Sequence, residues 1–218
     1  MKITAINAQV KDSNRVSISV DGKYSFSLHI TQLVEMGVKV GQELDDTRLA
    51  ELKEASSYGK LYARALEYCL SRPHSQREVQ DYLRRKTLDK KYKVRGKNEL
   101  KTKEGVSQAV ARAVLSRLIE LGYVDDHKFT QFWVENRHLR KGVSRRKLQA
   151  ELISKGVSKV IIDEVLESAP RNDQEELCKM VAKKAGKYDD EQKLIAYLAR
   201  QGFNYDDIKQ AISEQDHK

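Results

Sequence analysis

The chain has 218 residues, a third of them charged, and its 41 Lys and Arg against 32 Asp and Glu leave a net charge of +9. An apolar share of 39% is low for one thick core and suits thin helical layers, and with only two prolines, Pro73 and Pro170, long helices meet few breakers. No stretch approaches the roughly 18 apolar residues of a membrane helix, and the start "MKITAINAQVKD" has no apolar signal core. Cys69 and Cys178 are too isolated for a disulfide framework or a zinc site, so a soluble, reducing, cytoplasmic setting is expected.

The first thirty residues follow a period of two. Val16, Ile18 and Val20 alternate on one face, Asp21-Gly22 signals a tight hairpin turn, and Tyr24, Phe26 and Leu28 alternate on the return strand. Ile3, Ile6 and Val10 are read as an added first strand, completing a small meander. "ITQLVEMG" then predicts a short helix ending at Gly37, and "DDTRLAELKEAS" another, capped by Asp45 or Asp46. This unit, residues 1–57, has a net charge of −1.

From Tyr58 the period is helical and the chain repeats itself. Ser75, Ser144 and Asp190 each stand four and eight positions before apolar residues: Val79 and Leu83, Leu148 and Leu152, Leu194 and Leu198. Lys86, Lys155 and Gln201 follow three residues on, and Gly156 and Gly202 come next, where a helix end takes a left-handed residue. An apolar residue and a polar cap begin the last helix of each unit: Val106-Ser107, Val157-Ser158, Phe203-Asn204. "SQRE" from Ser75 reads as a capping box, and "DQEE" from Asp173 resembles one. The reading is therefore mainly α: tandem three-helix repeats over 58–126, 127–170 and 171–218, stacked in an elongated, curved array after the small β-hairpin unit. The first repeat is longer by 18 residues, about 88–105, with seven Lys or Arg and three acids. Such a polar insertion is expected to be a surface loop or a hairpin.

Charge is unevenly spread. Residues 58–126 carry +7 and 127–170 carry +4, whereas 171–218 carry −1. A positive middle suits a polyanion or an acidic protein groove. No phosphate loop, dinucleotide fingerprint, HExxH or GxSxG is present. Asp125-Asp126-His127 sits before an amphipathic helix, which favours capping over metal or acid–base chemistry. Tyr123, Phe129, Phe132 and Trp133 are read from their helical spacing as mostly core; base stacking is the alternative. No catalytic residue, metal or cofactor is assigned.

The run from Leu121 to Glu167 resembles the RecX regulatory proteins: a Gly122-Tyr123-Val124-Asp125-Asp126 corner, an aromatic helix with Phe129 reaching Arg137, a Lys141-Gly142 step, and Glu151-Leu152 closing on Lys155-Gly156. Upstream, Ala65, Leu70, Arg72, Ser75, Glu78 and Leu83 look like the family's first repeat, and the likeness extends over about 58–212. It departs at the insertion and at Val143, where small or turn-forming residues are common. The resemblance implies a modulator of the RecA recombinase that lies in the RecA filament groove, inhibits recombination, ATP hydrolysis and co-protease activity, and contacts single- or double-stranded DNA. The expected contacts are Arg84, Arg85, Lys86, Arg137, Arg140, Lys141, Arg145, Arg146 and Lys147, while Tyr123, Asp125, Asp126, Gly142 and Gly156 are expected to shape the corners. A monomer without membrane attachment is expected. Two other readings stay open: a helical module binding DNA or RNA without RecA, and a metal-dependent nuclease using Asp125 and Asp126.

Overall fold

The computed structural model describes residues 1–10, 12–93, 96, 99–140, 142–169, 172–188 and 190–216, without the side chains of 137–140 and 216. They fall into two compact units, one of residues 1–72 and 80–123, the other of 73–79 and 124–218.

The first unit opens with β1 (Ile3–Ala8), β2 (Arg15–Val20) and β3 (Lys23–His29) in an antiparallel sheet of order β1-β2-β3. The predicted turn is present, with both Asp21 (φ 49°) and Gly22 (φ 78°) left-handed. Two bulges correct the simple alternation. Ile3 pairs with Val20 but Ile6 with Ile18, so an extra residue lets two isoleucines three apart share the core face. Ile18 pairs with Phe26 but Ser19 with Tyr24; the bulge at Ser25 turns Tyr24 outward while Phe26 and Leu28 stay buried. Val10 lies beyond β1 and is exposed.

α1 (Ile30–Glu35) is closed by left-handed Gly37, and α2 (Asp46–Ser71) is capped by Asp45, whose Oδ1 accepts the Arg48 N–H at 2.7 Å. α2 is one continuous helix, where two helices meeting near residue 57 were expected. The small residues of "SSYG" at that boundary serve close packing within the helix. Ser56 Oγ donates to the Ser27 carbonyl at 2.7 Å and accepts the Ser27 N–H at 3.4 Å. A Cβ on Gly59 would come within 2.6 Å of the Gln32 amide, which itself bonds the Ala55 carbonyl. Ser56→Ala is expected to cost about 1–2 kcal/mol in urea unfolding, because the buried Ser27 N–H loses its acceptor while Arg15 still serves the Ser27 carbonyl. Farther along α2, burial pushes the Cys69 thiol up, as for a small core residue.

α3 (Gln76–Thr87) begins in the second unit and continues after Val79 in the first. The insertion forms a hairpin of β4 (Lys90–Lys93) and β5 (Leu100–Lys103), followed by α4 (Gln108–Glu120) with Ser107 as its cap. In the second unit, α5 (Asp126–Arg140), α6 (Arg145–Ser154) and α7 (Lys159–Ser168) share a core around Phe129, Leu148, Leu152 and Ile162. α8 (Asp173–Lys184), α9 (Glu191–Arg200) and α10 (Tyr205–Asp216) share another around Leu177, Leu198 and Ile208. All six apolar markers of the repeat alignment are buried. In α7 the inward residues are Ile162, Val165 and Leu166, with Ile161 only partly covered. The mainly α, three-helix architecture thus stands.

Candidate functional site

Within the second unit the same joint is built twice. In the first, Ser75 Oγ accepts the Glu78 N–H at 3.1 Å and donates to the Lys155 carbonyl at 2.8 Å, while Asp126 accepts the Gln76 N–H at 2.8 Å. In the second, Ser144 Oγ accepts the Lys147 N–H, the Ser144 N–H donates to the Gln201 carbonyl at 3.0 Å, and Asp173 accepts the Arg145 N–H at 2.9 Å. The N-terminus of one repeat's middle helix meets the C-terminal corner of the next repeat's middle helix. Orphan N–H groups find carboxylates and orphan carbonyls find donors. Gly156 (φ 83°) and Gly202 (φ 93°) form the two corners, against Arg77 and against Ser144 and Lys147 respectively.

The expected corner residues are placed accordingly. Asp125 caps α5, accepting the N–H groups of His127 (2.9 Å) and Lys128 (3.1 Å); Asp126 reaches across to α3. Gly142 lets Met180 approach, and the unusual Val143 is fully buried. In the first unit, left-handed Gly122 ends α4, and Tyr123, expected in the core, is exposed because it lies in the corner between α4 and α5 and not on a helix face. Phe129 is core; Trp133 is half-buried, donates from Nε1 to Glu151 at 3.1 Å, and carries the Lys155 ammonium 4.6 Å above its ring. That ammonium also pairs with Glu78 at 2.6 Å. For α8 the cap is Asn172, which accepts the Gln174 N–H, and Asp173 serves α6 instead of a capping box of its own.

The Glu78–Lys155–Trp133–Glu151 cluster and the role of Asp173 were missed by the sequence reading. The aligned positions 75 and 144, 78 and 147, and 155 and 201 carried the available signal, since they recur together in both joints.

The basic candidates divide. Arg84 and Arg85 are exposed on the last turn of α3, Arg84 beside Asp81 at 3.4 Å. Lys86 is half-buried with its ammonium 4.7 Å over the Tyr82 ring. Arg146 is exposed and Arg145 half-buried, whereas the Lys147 ammonium donates to the Arg200 carbonyl and to Gln201. Arg137 and Arg140 lie in the last turn of α5, their side chains outside the described residues, as is Lys141 altogether. Among the described residues no group of three His, Cys, Asp or Glu could hold a metal ion, and no helix is long and apolar enough to cross a membrane.

Comparison with known proteins gives these repeats a context. Residues 1–45 match the family model of the regulatory protein RecX N-terminal domain, 125–166 that of the second RecX three-helix domain, and 172–212 that of the third. The chain is 31% identical over 185 residues to the regulatory protein RecX of Bacillus licheniformis, covering 85% of this chain and 64% of that protein. For the Clostridium tetani protein of the same name the identity is 27%, covering 85% and 77%. The chain therefore spans just under two thirds of the Bacillus licheniformis relative's length. A crystal structure of a regulatory protein RecX superposes with a TM-score of 0.68 at 22% identity over 98% of both chains; that of RecX from Lactobacillus salivarius gives 0.55 at 20%, over 75% and 99%. These two likenesses speak for the fold. With three domain models of one family matched in chain order and a regulatory protein RecX 31% identical over 85% of the chain, the chain belongs to the RecX family of regulatory proteins.

Proposed function

We propose that the chain is a negative regulator of the RecA recombinase, binding in the groove of the RecA filament and contacting its DNA. It acts by occupying that groove as a cytoplasmic monomer, without cofactor or catalysis, and lowers recombinase, ATPase and co-protease activity. The observation that carries this reading is the concentration of positive charge in residues 58–170, flanked by two slightly acidic ends, within a chain of this family. Arg84, Arg85, Lys86, Arg145 and Arg146 are the proposed contacts, joined by Arg137, Arg140 and Lys141; Lys147 contributes less, its ammonium being engaged in the second joint.

The test is ATP hydrolysis by RecA on single-stranded DNA with the chain added substoichiometrically. Inhibition is expected, weakening steeply with salt. Arg145→Glu/Arg146→Glu should raise the half-inhibitory concentration by at least about tenfold, since like charges set against each other cost several kcal/mol. The bond from the Arg145 N–H to Asp173 belongs to the backbone and does not depend on the side chain, and circular dichroism checks that the variant folds. Unchanged hydrolysis with the cognate RecA, together with DNA binding, would replace this reading by a nucleic-acid-binding module that acts alone.

A further inference from the structure

The inserted hairpin closes over a polar cavity of about 360 Å³ in the first unit, lined by Lys60, Arg64, Lys86, Lys90 and Lys103 with Glu104 as its one carboxylate. Among the described residues none of these five cations has an ion-pair partner within 4.0 Å. The walls are held in place. Tyr82 stacks on Tyr68 at 4.5 Å, donates its hydroxyl to the Arg64 carbonyl at 3.3 Å, and carries Lys86 over its face. The hairpin base is tied by Val106 N–H to the Lys86 carbonyl (3.0 Å) and by Gly105 N–H to Asp89 (2.8 Å). A side chain at Gly105 would strike the Thr87 carbonyl, so the two ends of the insertion meet too closely for any other residue.

The register of the hairpin adds a second observation. Lys90 lies directly opposite Lys103, a like-charge pair that repels unless an anion sits between its members. The next pair on the same face, two residues along each strand, is Tyr92 with Lys101, and Tyr92 is 49% exposed. An acidic peptide would use the cations but has no need of the ring. A single-stranded nucleic acid uses both, its phosphates on the lysines and a base on the aromatic face.

We infer that the cavity and the hairpin face beyond it bind a short run of single-stranded nucleic acid, with backbone phosphate among Lys60, Arg64, Lys86, Lys90 and Lys103 and a base stacked on Tyr92. This deepens the DNA-contacting part of the function proposed above and is tested without RecA, so the two can fail separately.

The experiment is fluorescence anisotropy of labelled oligo-thymidylate with the full chain across a salt series. Lys90→Gln/Lys103→Gln is expected to weaken binding about tenfold at low salt and to flatten the salt slope by about 1.4, at roughly 0.7 per phosphate contact on single strands. Tyr92→Ala is expected to weaken binding by a similar factor with the slope unchanged, which separates stacking from charge. Both changes fall on exposed strand positions, and circular dichroism checks the fold. Absence of oligonucleotide binding, an unchanged slope in the lysine variant, or displacement of the oligonucleotide as effectively by oligo-glutamate or pyrophosphate would each overturn the site. A chain that inhibits RecA while its lysine variant binds oligo-thymidylate like the parent would leave the regulator standing and remove the hairpin from it.

Discussion

Gly202→Ala should lower the stability of the chain by about 3 kcal/mol. Gly202 holds φ at 93°, a conformation that costs an L side chain about 1–2 kcal/mol. The added methyl would also press into the second joint, on Ser144 Oγ, 2.9 Å from Lys147 Cβ and 3.3 Å from the Lys147 backbone nitrogen. The first turn of α6 cannot give way without breaking the Ser144–Gln201 and Arg145–Asp173 bonds, so a further overpacking cost of about 1–3 kcal/mol applies. Gly142→Ala makes the contrast. Its methyl would press on Sδ and Cγ of Met180, with Glu176 Oε2 at an ordinary 3.7 Å; Met180 has three rotatable bonds with which to yield, and a loss nearer 1 kcal/mol is expected. Urea unfolding of the two variants against the parent checks both values. Equal losses would mean that the second joint is no more rigid than the methionine.

The second large effect belongs to the first joint. Lys155→Met should cost about 2 kcal/mol, below the 3–5 kcal/mol of a fully buried broken pair because the Lys155 and Glu78 side chains keep 26% and 17% of their exposure. The ammonium is shared: it pairs with Glu78 at 2.6 Å and lies over the Trp133 ring, whose Nε1 is bonded to Glu151. Removing it deprives an acid and an aromatic face of the same cation. Glu78→Gln, which keeps a hydrogen-bonding oxygen, should lose about half as much. A double-mutant cycle between the two positions is expected to give a coupling of about 1 kcal/mol or more. A coupling near zero would mean that Trp133 alone anchors the lysine.

What the sequence conveyed well is what neighbouring residues decide among themselves. The Asp21-Gly22 turn, the caps at Asp45, Ser107, Ser144 and Ser158, and the left-handed glycines at 37, 156 and 202 all act within one turn of chain. The apolar spacing of the repeats is likewise local, and the hairpin was among the forms expected of the insertion. The misplaced break in α2 shows the limit of such signals. Ser56 and Gly59 flank the boundary expected near residue 57, and only the packing of Ser27 and Gln32, 29 and 27 residues earlier, accounts for the single helix that runs through them.

The candidate site was legible as a set of basic residues but not as an arrangement. Arg145, Arg146 and Lys147 are alike in sequence, yet only tertiary structure brings the Arg200 carbonyl to the ammonium of Lys147 and leaves Arg146 exposed. Asp126 and Asp173 read as helix starts; their carboxylates instead close the ends of helices 50 and 28 residues away. Lys60, Arg64, Lys86, Lys90 and Lys103, scattered over more than forty positions, line one cavity because a hairpin folds back beside α2 and α3. Most of the helices and caps, the repeat and the family were thus written along the chain, since these follow from backbone hydrogen bonding and apolar spacing over a few turns; the continuity of α2 and the Asn172 cap of α8 were not. Which polar side chains are consumed in joints and which remain open to a partner was decided only by the fold, because an ion pair or a capped carbonyl depends on groups that the chain brings together from far apart.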